Sequence, residues 1–321
     1  MTEPRRLSRL AALAVVLAIL APLAFAQQAV APPQVTASSV FVMNADTGQV
    51  LYAKAEDRPF RLHSITKLVT AYVLMQRMGD RLSEEVTVTP AQMTSGSTAG
   101  LRAGDVWTLE NLLAGMLLVS GNDAALVIAD RVGSALLADE KKRGNAKARF
   151  VQEMRNAAAG LGAKTARFAD PHGLSPANVA TARDVGILAS TIFRDPRLLP
   201  TYECKRRLLD VGGPAARTIA LDSTIEILGE DNILAAKTGS HVTKGIYNLV
   251  VAWRAPNGQT IVAAVLGSAD HPARYRDMRT ILAALPQDFP ELSVPADGAP
   301  DRKGVTCPPA GPLPTPPKGK P

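Results

Sequence analysis

Aromatic side chains are scarce in this chain, since phenylalanine, tryptophan and tyrosine together make up 4% of its 321 residues. The formal net charge is +7, but the basic residues are scattered and form no stripe. Nucleic-acid binding surfaces combine clustered cations with aromatic stacking platforms, so this composition argues against a nucleic-acid partner. A mildly basic face would still suit an anionic polymer.

Histidine and cysteine are also few. The four histidines show neither an H-E-x-x-H motif nor any other spacing typical of metal ligands. The sequence therefore argues against a zinc peptidase, and it predicts no metal and no organic cofactor. The two cysteines, Cys204 and Cys307, would form a disulfide bond only in an oxidising compartment, and the sequence leaves open whether they pair.

Residues 1–26 begin with basic residues, continue with an apolar run from Leu10 to Leu23, and end in Ala24-Phe25-Ala26. This layout is typical of a secretory signal peptide cleaved before Gln27, because the apolar run is too short to span a bilayer comfortably. An uncleaved segment that holds the protein at a membrane is the alternative. We therefore expect an exported protein, periplasmic or extracellular.

Residues 291–321 are rich in proline, glycine and charge and have no periodic apolar pattern. Such a composition predicts a disordered tail. We expect residues 27–37 to form a linker. The segment between them, 38–290, is long enough to bury a substantial core and predicts one large domain.

Local patterns within 38–290 predict strands near both ends of this segment and helices between them. Residues 39–44 and 49–53 predict one hairpin, and 247–254 and 259–266 predict another around Pro256-Asn257-Gly258. A further strand is predicted from Ile233 into Lys237, and helices are predicted over 65–78, 109–118, 123–132 and 273–285. The pattern predicts an α+β fold in which one antiparallel sheet is flanked by helices and carries an inserted helical subdomain.

Three short motifs occur in a fixed order: Ser64-Ile65-Thr66-Lys67, Ser120-Gly121-Asn122 and Lys237-Thr238-Gly239. Each is weak alone, because a chain of this length holds about one S-x-x-K by chance. Their order, S-x-x-K, S-x-N and K-T-G, is the signature of penicillin-recognising serine acyl enzymes. The three together therefore indicate a serine nucleophile.

The spacing within the first motif suits nucleophilic chemistry, since Ser64 and Lys67 are three residues apart and share a face of the predicted helix. A serine is a poor nucleophile until a base removes its proton, and Lys67 can act as that base only when it is neutral. Burial and the second lysine, Lys237, would both lower the pKa of Lys67. Without the other motifs, Ser64 would be interpreted as a helix cap and Lys67 as a solvated side chain.

The sequence around these motifs resembles the low-molecular-mass penicillin-binding proteins, a family of serine D-alanyl-D-alanine carboxypeptidases and endopeptidases. The resemblance runs from about Val40 to Leu285. It includes FVMNADTGQVLYAKAEDRPFRLHSITKLVTAYV, LENLLAGMLLVSGNDAALVIAD and FADPHGLSPANVATARD. It implies a β-lactamase/DD-peptidase-like fold. Many members carry a second β-rich domain and an amphipathic C-terminal anchor, and a chain with neither resembles the endopeptidase branch.

The resemblance also implies a role for each site residue. Ser64 would attack the carbonyl between two D-alanines, Lys67 would take its proton, and Ser120 would relay a proton to the leaving group. Substrate-binding roles would fall on the following residues: Asn122, Lys237, Thr238, Gly239, Ser240 and Arg274. The backbone N–H groups of Ser64 and Ser240 would form the oxyanion hole. The implied partners are peptidoglycan stem peptides ending in D-Ala-D-Ala, with β-lactam antibiotics as covalent inhibitors.

Three alternatives to a carboxypeptidase remain. An endopeptidase that cleaves peptidoglycan cross-links would use the same residues. A class A β-lactamase would have S-D-N and an E-x-x-L-N loop, which this sequence lacks between Ser120 and Lys237. A catalytically weak cell-wall scaffold protein is the third, because the segment after Ser240 is one residue longer than usual and makes the strand register there uncertain. We interpret His63 as a surface or packing residue.

Overall fold

The computed structural model describes residues 33–202, 204–230 and 232–285. The predicted signal peptide, most of the predicted linker, Cys307 and the predicted tail lie outside the described residues, and the domain limits 38–290 stay a prediction. Cys204 is buried and disulfide-bonded. None of the helices within the described ranges is long and apolar enough to cross a membrane.

Eleven strands are found in these ranges: β1 Ser39–Asn44, β2 Val50–Lys54, β3 Pro59–Arg61, β4 Glu85–Thr87, β5 Val106–Thr108, β6 Val179–Thr181, β7 Arg206–Val211, β8 Arg217–Asp222, β9 Ile233–His241, β10 Ile246–Arg254 and β11 Thr260–Leu266. The α-helices of the same ranges are α1 Lys67–Met78, α2 Leu109–Leu118, α3 Asn122–Asp139, α4 Ala146–Gly160, α5 Ala182–Ile192, α6 Leu199–Tyr202 and α7 His271–Ala284. Short 3-10 helices cover His63–Thr66, Pro90–Gln92 and Val242–Lys244.

The main sheet has the strand order β2-β1-β11-β10-β9 and is antiparallel throughout. Every residue of β1 and β11 is buried because these strands have helices on both faces of the sheet. Alternate residues serve two cores: Phe41 and Ala264 pack toward the central helices, while Val42 and Ala263 pack toward α7. The predicted α+β fold, with its antiparallel sheet and flanking helices, is confirmed.

Both predicted hairpins are present, as β1–β2 and β10–β11. The register after Ser240, which the sequence left uncertain, is regular: Ser240 pairs with Tyr247 and His241 with Ile246. The turn that follows is a 3-10 helix, Val242–Lys244, which Gly245 ends with a φ of +60°. Strand β9 is therefore a continuous edge of the sheet from Ile233 to His241.

Three helix predictions differ from the structure at their N-terminal ends, and the helix predicted over 273–285 begins two residues earlier, at His271. The helix predicted over 65–78 is a 3-10 turn through Thr66 and becomes α-helical only at Lys67. The helix predicted over 123–132 begins one residue earlier, at Asn122, and continues to Asp139. Its N-cap, Gly121, makes no side-chain capping bond, so the second motif is not a conventional helix cap.

Candidate active site

The 3-10 turn that carries Ser64 is held between two glycines from distant parts of the chain. A Cβ atom on Gly173 would lie 2.0 Å from the carbonyl oxygen of His63, and one on Gly239 would lie 2.2 Å from that of Leu62. These positions therefore need glycine, because backbone approaches backbone there. His63 itself has a φ of +49°, a conformation that costs energy in a residue other than glycine and that occurs often at functional sites. Ser64 is half-buried on this turn.

Lys67 lies one turn further along and is completely buried. Its Nζ donates to Ser64 Oγ at 3.0 Å, to Asn122 Oδ1 at 2.7 Å and to the carbonyl oxygen of His172 at 2.7 Å. Burial holds the pKa of this amine well below its usual value, and the charge of Lys237 lowers the pKa further, while Asp170 and Asp123 oppose the change. A neutral Lys67 can accept a proton from the Ser64 hydroxyl.

The second motif lies on the break between α2 and α3. Ser120 has a φ of +60°, and Asn122 is the first residue of α3. The Asn122 side chain is fixed at both ends, because its Nδ2 donates to the carbonyl oxygen of Ser95 at 2.9 Å while its Oδ1 accepts from Lys67. The amide thus orients the Lys67 amine toward Ser64 Oγ.

Lys237 reaches the same cleft from the edge strand β9 and is also completely buried. Its Nζ donates to Ser120 Oγ at 3.0 Å and to the carbonyl oxygen of Thr238 at 3.2 Å. Burial, together with the nearby charge of Arg274, lowers the pKa of Lys237 to about 7. Ser120 is therefore joined to a group that can gain or lose a proton near neutral pH.

Arg274, from the first turn of α7, lies against the strand that carries the third motif. Its Nη1 donates to Ser240 Oγ at 2.5 Å and its Nη2 to the hydroxyl of Tyr275 at 3.2 Å. The guanidinium is 2% exposed, and its Nε has no partner among the described residues. A buried arginine with an unused donor beside Ser240 can bind a carboxylate.

Two supporting carboxylates were not predicted from the sequence. Asp123, on α3, accepts from the backbone N–H groups of Ala99 and Leu101, at 2.9 and 3.2 Å. These bonds hold the loop whose Ser95 carbonyl contacts Asn122. Asp170 accepts from the N–H groups of Gly173 and Ser175, at 2.6 and 2.5 Å. These bonds hold the segment whose His172 carbonyl contacts Lys67. The SGND and FADPHG segments contain both aspartates, but nothing in their spacing predicts bonds to the backbone.

The structure brings Ser64, Lys67, Ser120, Asn122 and Lys237 together in two hydrogen-bonded groups. The remaining predicted residues, Thr238, Gly239, Ser240 and Arg274, follow the edge strand or lie against it. Within the described ranges no group of three histidine, cysteine, aspartate or glutamate side chains could hold a metal ion. A serine hydroxyl bonded to a buried lysine whose pKa is lowered is the arrangement of a serine acyl-transfer enzyme that uses lysine as its base.

Comparison with known proteins agrees with this class. Residues 26–270 match the peptidase S11 family, described as D-alanyl-D-alanine carboxypeptidase. The D-alanyl-D-alanine carboxypeptidase of Streptomyces sp. strain K15 is 29% identical over 271 residues, which are 79% of this chain and 88% of that protein. DacA of Haemophilus influenzae is 28% identical over 80% of this chain, which spans 63% of that protein's length.

Solved structures give the same result. The DD-transpeptidase of Streptomyces K15 superposes with a TM-score of 0.72 at 30% identity, covering 78% of this chain and 97% of that one. A D-alanyl-D-alanine carboxypeptidase from Mycobacterium tuberculosis has the same fold, with a TM-score of 0.68 at 23% identity over 80% of this chain and 94% of that one. The chain belongs to the peptidase S11 family of D-alanyl-D-alanine carboxypeptidases and is a serine peptidase.

Proposed function

We propose that this protein removes the terminal D-alanine from peptidoglycan stem peptides by way of an acyl-enzyme on Ser64. The observation that carries the proposal is the contact between Ser64 Oγ and the fully buried amine of Lys67, at 3.0 Å. This contact places a base beside the Ser64 hydroxyl, and the family to which the chain belongs is described as D-alanyl-D-alanine carboxypeptidase.

In the first step, Ser64 Oγ attacks the carbonyl carbon of the penultimate D-alanine, and its proton passes to neutral Lys67. The carbonyl oxygen becomes an oxyanion, bound by the backbone N–H groups of Ser64 and Ser240. The C–N bond then breaks, leaving an ester on Ser64. The departing amine needs one proton, which the Ser120 hydroxyl supplies while Lys237 restores the proton to Ser120.

In the second step, a water molecule attacks the ester carbon and gives its proton to Lys237, which lost one in the first step, while Lys67 holds the proton that Ser64 will recover. The C–O bond breaks, Ser64 Oγ recovers a proton, and the shortened peptide leaves with a new carboxylate. The pKa of Lys237, lowered to about 7, lets this amine exchange a proton near neutral pH, and the lowered pKa of Lys67 favours its neutral form. The cycle returns Ser64 and Lys67 to their starting protonation states.

The free carboxylate of the substrate is bound by Thr238, Ser240 and Arg274. Thr238 and Ser240 are two residues apart on the edge strand, so their side chains lie on the same face. Arg274 contacts Ser240 Oγ. An arginine that is already oriented binds a carboxylate with little loss of side-chain entropy. Asn122 donates to or accepts from the substrate amide, and Gly239 allows close approach of an added peptide strand.

Penicillins carry a strained amide and a carboxylate, so the same residues would bind them and Ser64 would be acylated. Export to the periplasm or the cell exterior would bring the enzyme to its substrate and follows from the predicted signal peptide. Cleavage of cross-links is the second candidate function, because a cross-link also presents a carboxylate beside the scissile bond.

The test is intact-mass measurement after incubation with benzylpenicillin, together with D-alanine release from a pentapeptide. We expect one penicillin adduct on the wild type and none on Ser64→Ala, and D-alanine release only from the wild type. An adduct that survives the substitution would overturn the assignment of Ser64. Dimeric muropeptides in the same assay decide the second function, since their persistence while pentapeptides are trimmed rules out the endopeptidase.

A further inference from the structure

Four nitrogen-bearing side chains gather on the side of the cleft where strand β9 ends. The rings of His63 and His241 meet edge to face, with centroids 5.4 Å apart. Arg61 and Lys244 are exposed beside them. These two cations are close enough to His63 that their charges lower its pKa, after burial and the contact with His241. We call Arg61, His63, His241 and Lys244 the basic rim.

The basic rim has no anion of its own. Neither Arg61 nor Lys244 has an ion pair or a side-chain hydrogen-bond partner within the residues that the structure describes. By contrast, Arg183 pairs with Glu56 and Asp57. An uncompensated positive patch at the mouth of a cleft attracts anions.

His63 supplies a second, independent sign of an unfilled site. Its side chain is more than nine-tenths buried, yet its Nε2 has no hydrogen-bond partner among the described residues. Its backbone is held in a left-handed conformation by the close approach of Gly173. A buried polar atom without a partner costs free energy, so an arrangement that keeps one beside the nucleophile calls for a ligand.

The direction of a bound peptide follows from the edge strand. Lys237 contacts Ser120 Oγ at 3.0 Å, and β9 ends four residues further on, at His241, so we place the rest of a peptide added to β9 past His241. If the terminal carboxylate lies at Ser240 and Arg274, the residue before D-Ala-D-Ala reaches the basic rim.

We propose that the basic rim is a subsite for a second carboxylate, and that it selects stem peptides whose residue before D-Ala-D-Ala carries a free carboxylate on its side chain. Diaminopimelate is such a residue and lysine is not. This inference rests on the proposed function. It assigns to the rim residues a role in specificity and none in the chemical steps.

The test compares two peptides that differ by one charge: an Nα-acyl-diaminopimelyl-D-Ala-D-Ala peptide with the side-chain carboxylate free, and the same peptide with that carboxylate amidated. We expect kcat/KM for D-alanine release to be about three- to tenfold higher for the free carboxylate, since exposed ion pairs contribute modestly. The preference should shrink as ionic strength rises from 50 to 500 mM, roughly from a 14 Å to a 4 Å screening length.

The decisive variant is Arg61→Gln with Lys244→Gln, which should bring the ratio of the two kcat/KM values close to one while the amidated peptide keeps its rate. Arg254→Gln, at the opposite end of β10, removes one charge and should leave the ratio unchanged. Equal rates for the two peptides in the wild type, or an unchanged ratio in the double variant, would overturn the subsite alone. Release of D-alanine from neither peptide contradicts the proposed function itself, and the subsite with it.

Discussion

Replacing Lys237 by methionine should change how the stability of the protein depends on pH. The folded-state pKa of Lys237 is about 7, against 10.5 for an unperturbed lysine, because the amine is completely buried beside Arg274. Between about pH 7 and 10.5 the unfolded chain therefore binds a proton at this position that the folded protein does not. The free energy of unfolding of the wild type must then rise with pH across that window.

The magnitude follows from linkage, in which one pKa unit is worth about 1.36 kcal/mol. Between pH 8 and pH 10, Lys237 should contribute a rise of about 2–3 kcal/mol in the unfolding free energy. Methionine keeps the length of the side chain but does not titrate, so Lys237→Met should lack this part of the rise. Above pH 8 the wild-type amine is already neutral, so its charge no longer acts on Lys67 and the two lysines can be treated separately.

The measurement is urea unfolding followed by circular dichroism at intervals from pH 7.5 to 10. Contributions from all other titrating groups are shared by the two proteins and cancel in the difference between their unfolding free energies. Lys54→Met, at an exposed lysine, controls for the loss of a lysine as such. A difference between wild type and Lys237→Met that stays constant with pH would refute the reasoning, because Lys237 would then be charged in the folded protein.

Two further substitutions test the site. Arg274→Ala should lower kcat/KM for D-alanine release by about 10- to 100-fold, the worth of a hydrogen bond to a charged group, and an unchanged rate would contradict the carboxylate grip. Gly173→Ala should slow penicillin acylation of Ser64 at least about tenfold by displacing the turn at His63. Gly48→Ala is its matched control, since Gly48 also has a positive φ but no atom within 4 Å of its Cβ position. Equal acylation rates in the two glycine variants would show that the contact does not position the nucleophile.

Sequence patterns predicted the parts of the fold that depend on local chemistry. Alternating apolar residues and the Pro256-Asn257-Gly258 turn marked the β10–β11 hairpin, and apolar periodicity marked α1 and α2. The β7–β8 hairpin was not predicted, although it pairs regularly from Arg206 to Asp222. Burial alternates regularly along both strands, but Arg207 is buried and Leu208 is exposed, so the hydrophobicity of the sequence does not follow the period of two.

The three motifs predicted residues that the structure brings together, because a motif consists of side chains and can be recognised in a sequence. The groups that hold those residues in place are mostly backbone carbonyl oxygens, and the sequence does not indicate which of these accept a hydrogen bond. The carbonyl oxygens of His172 and Ser95 bind Lys67 and Asn122, and any residue type could supply them. His63 was interpreted as a surface or packing residue. It is buried, but nothing in the sequence predicted its ring contact with His241.

The pairing of β1 with β11 has a consequence for how the protein comes to be active. Ser39 lies opposite Leu266, so the centre of the sheet joins segments that are separated by most of the chain. Such a topology has a high contact order, and folding is slow because the loop between the strands must be ordered before the pairing stabilises it. Lys67 precedes that pairing in the order of synthesis, and Lys237 arrives late, on a strand that is held by β10. A growing chain therefore contains Ser64 and Lys67 long before it contains Lys237, and these residues cannot come together until nearly the whole sheet has been made.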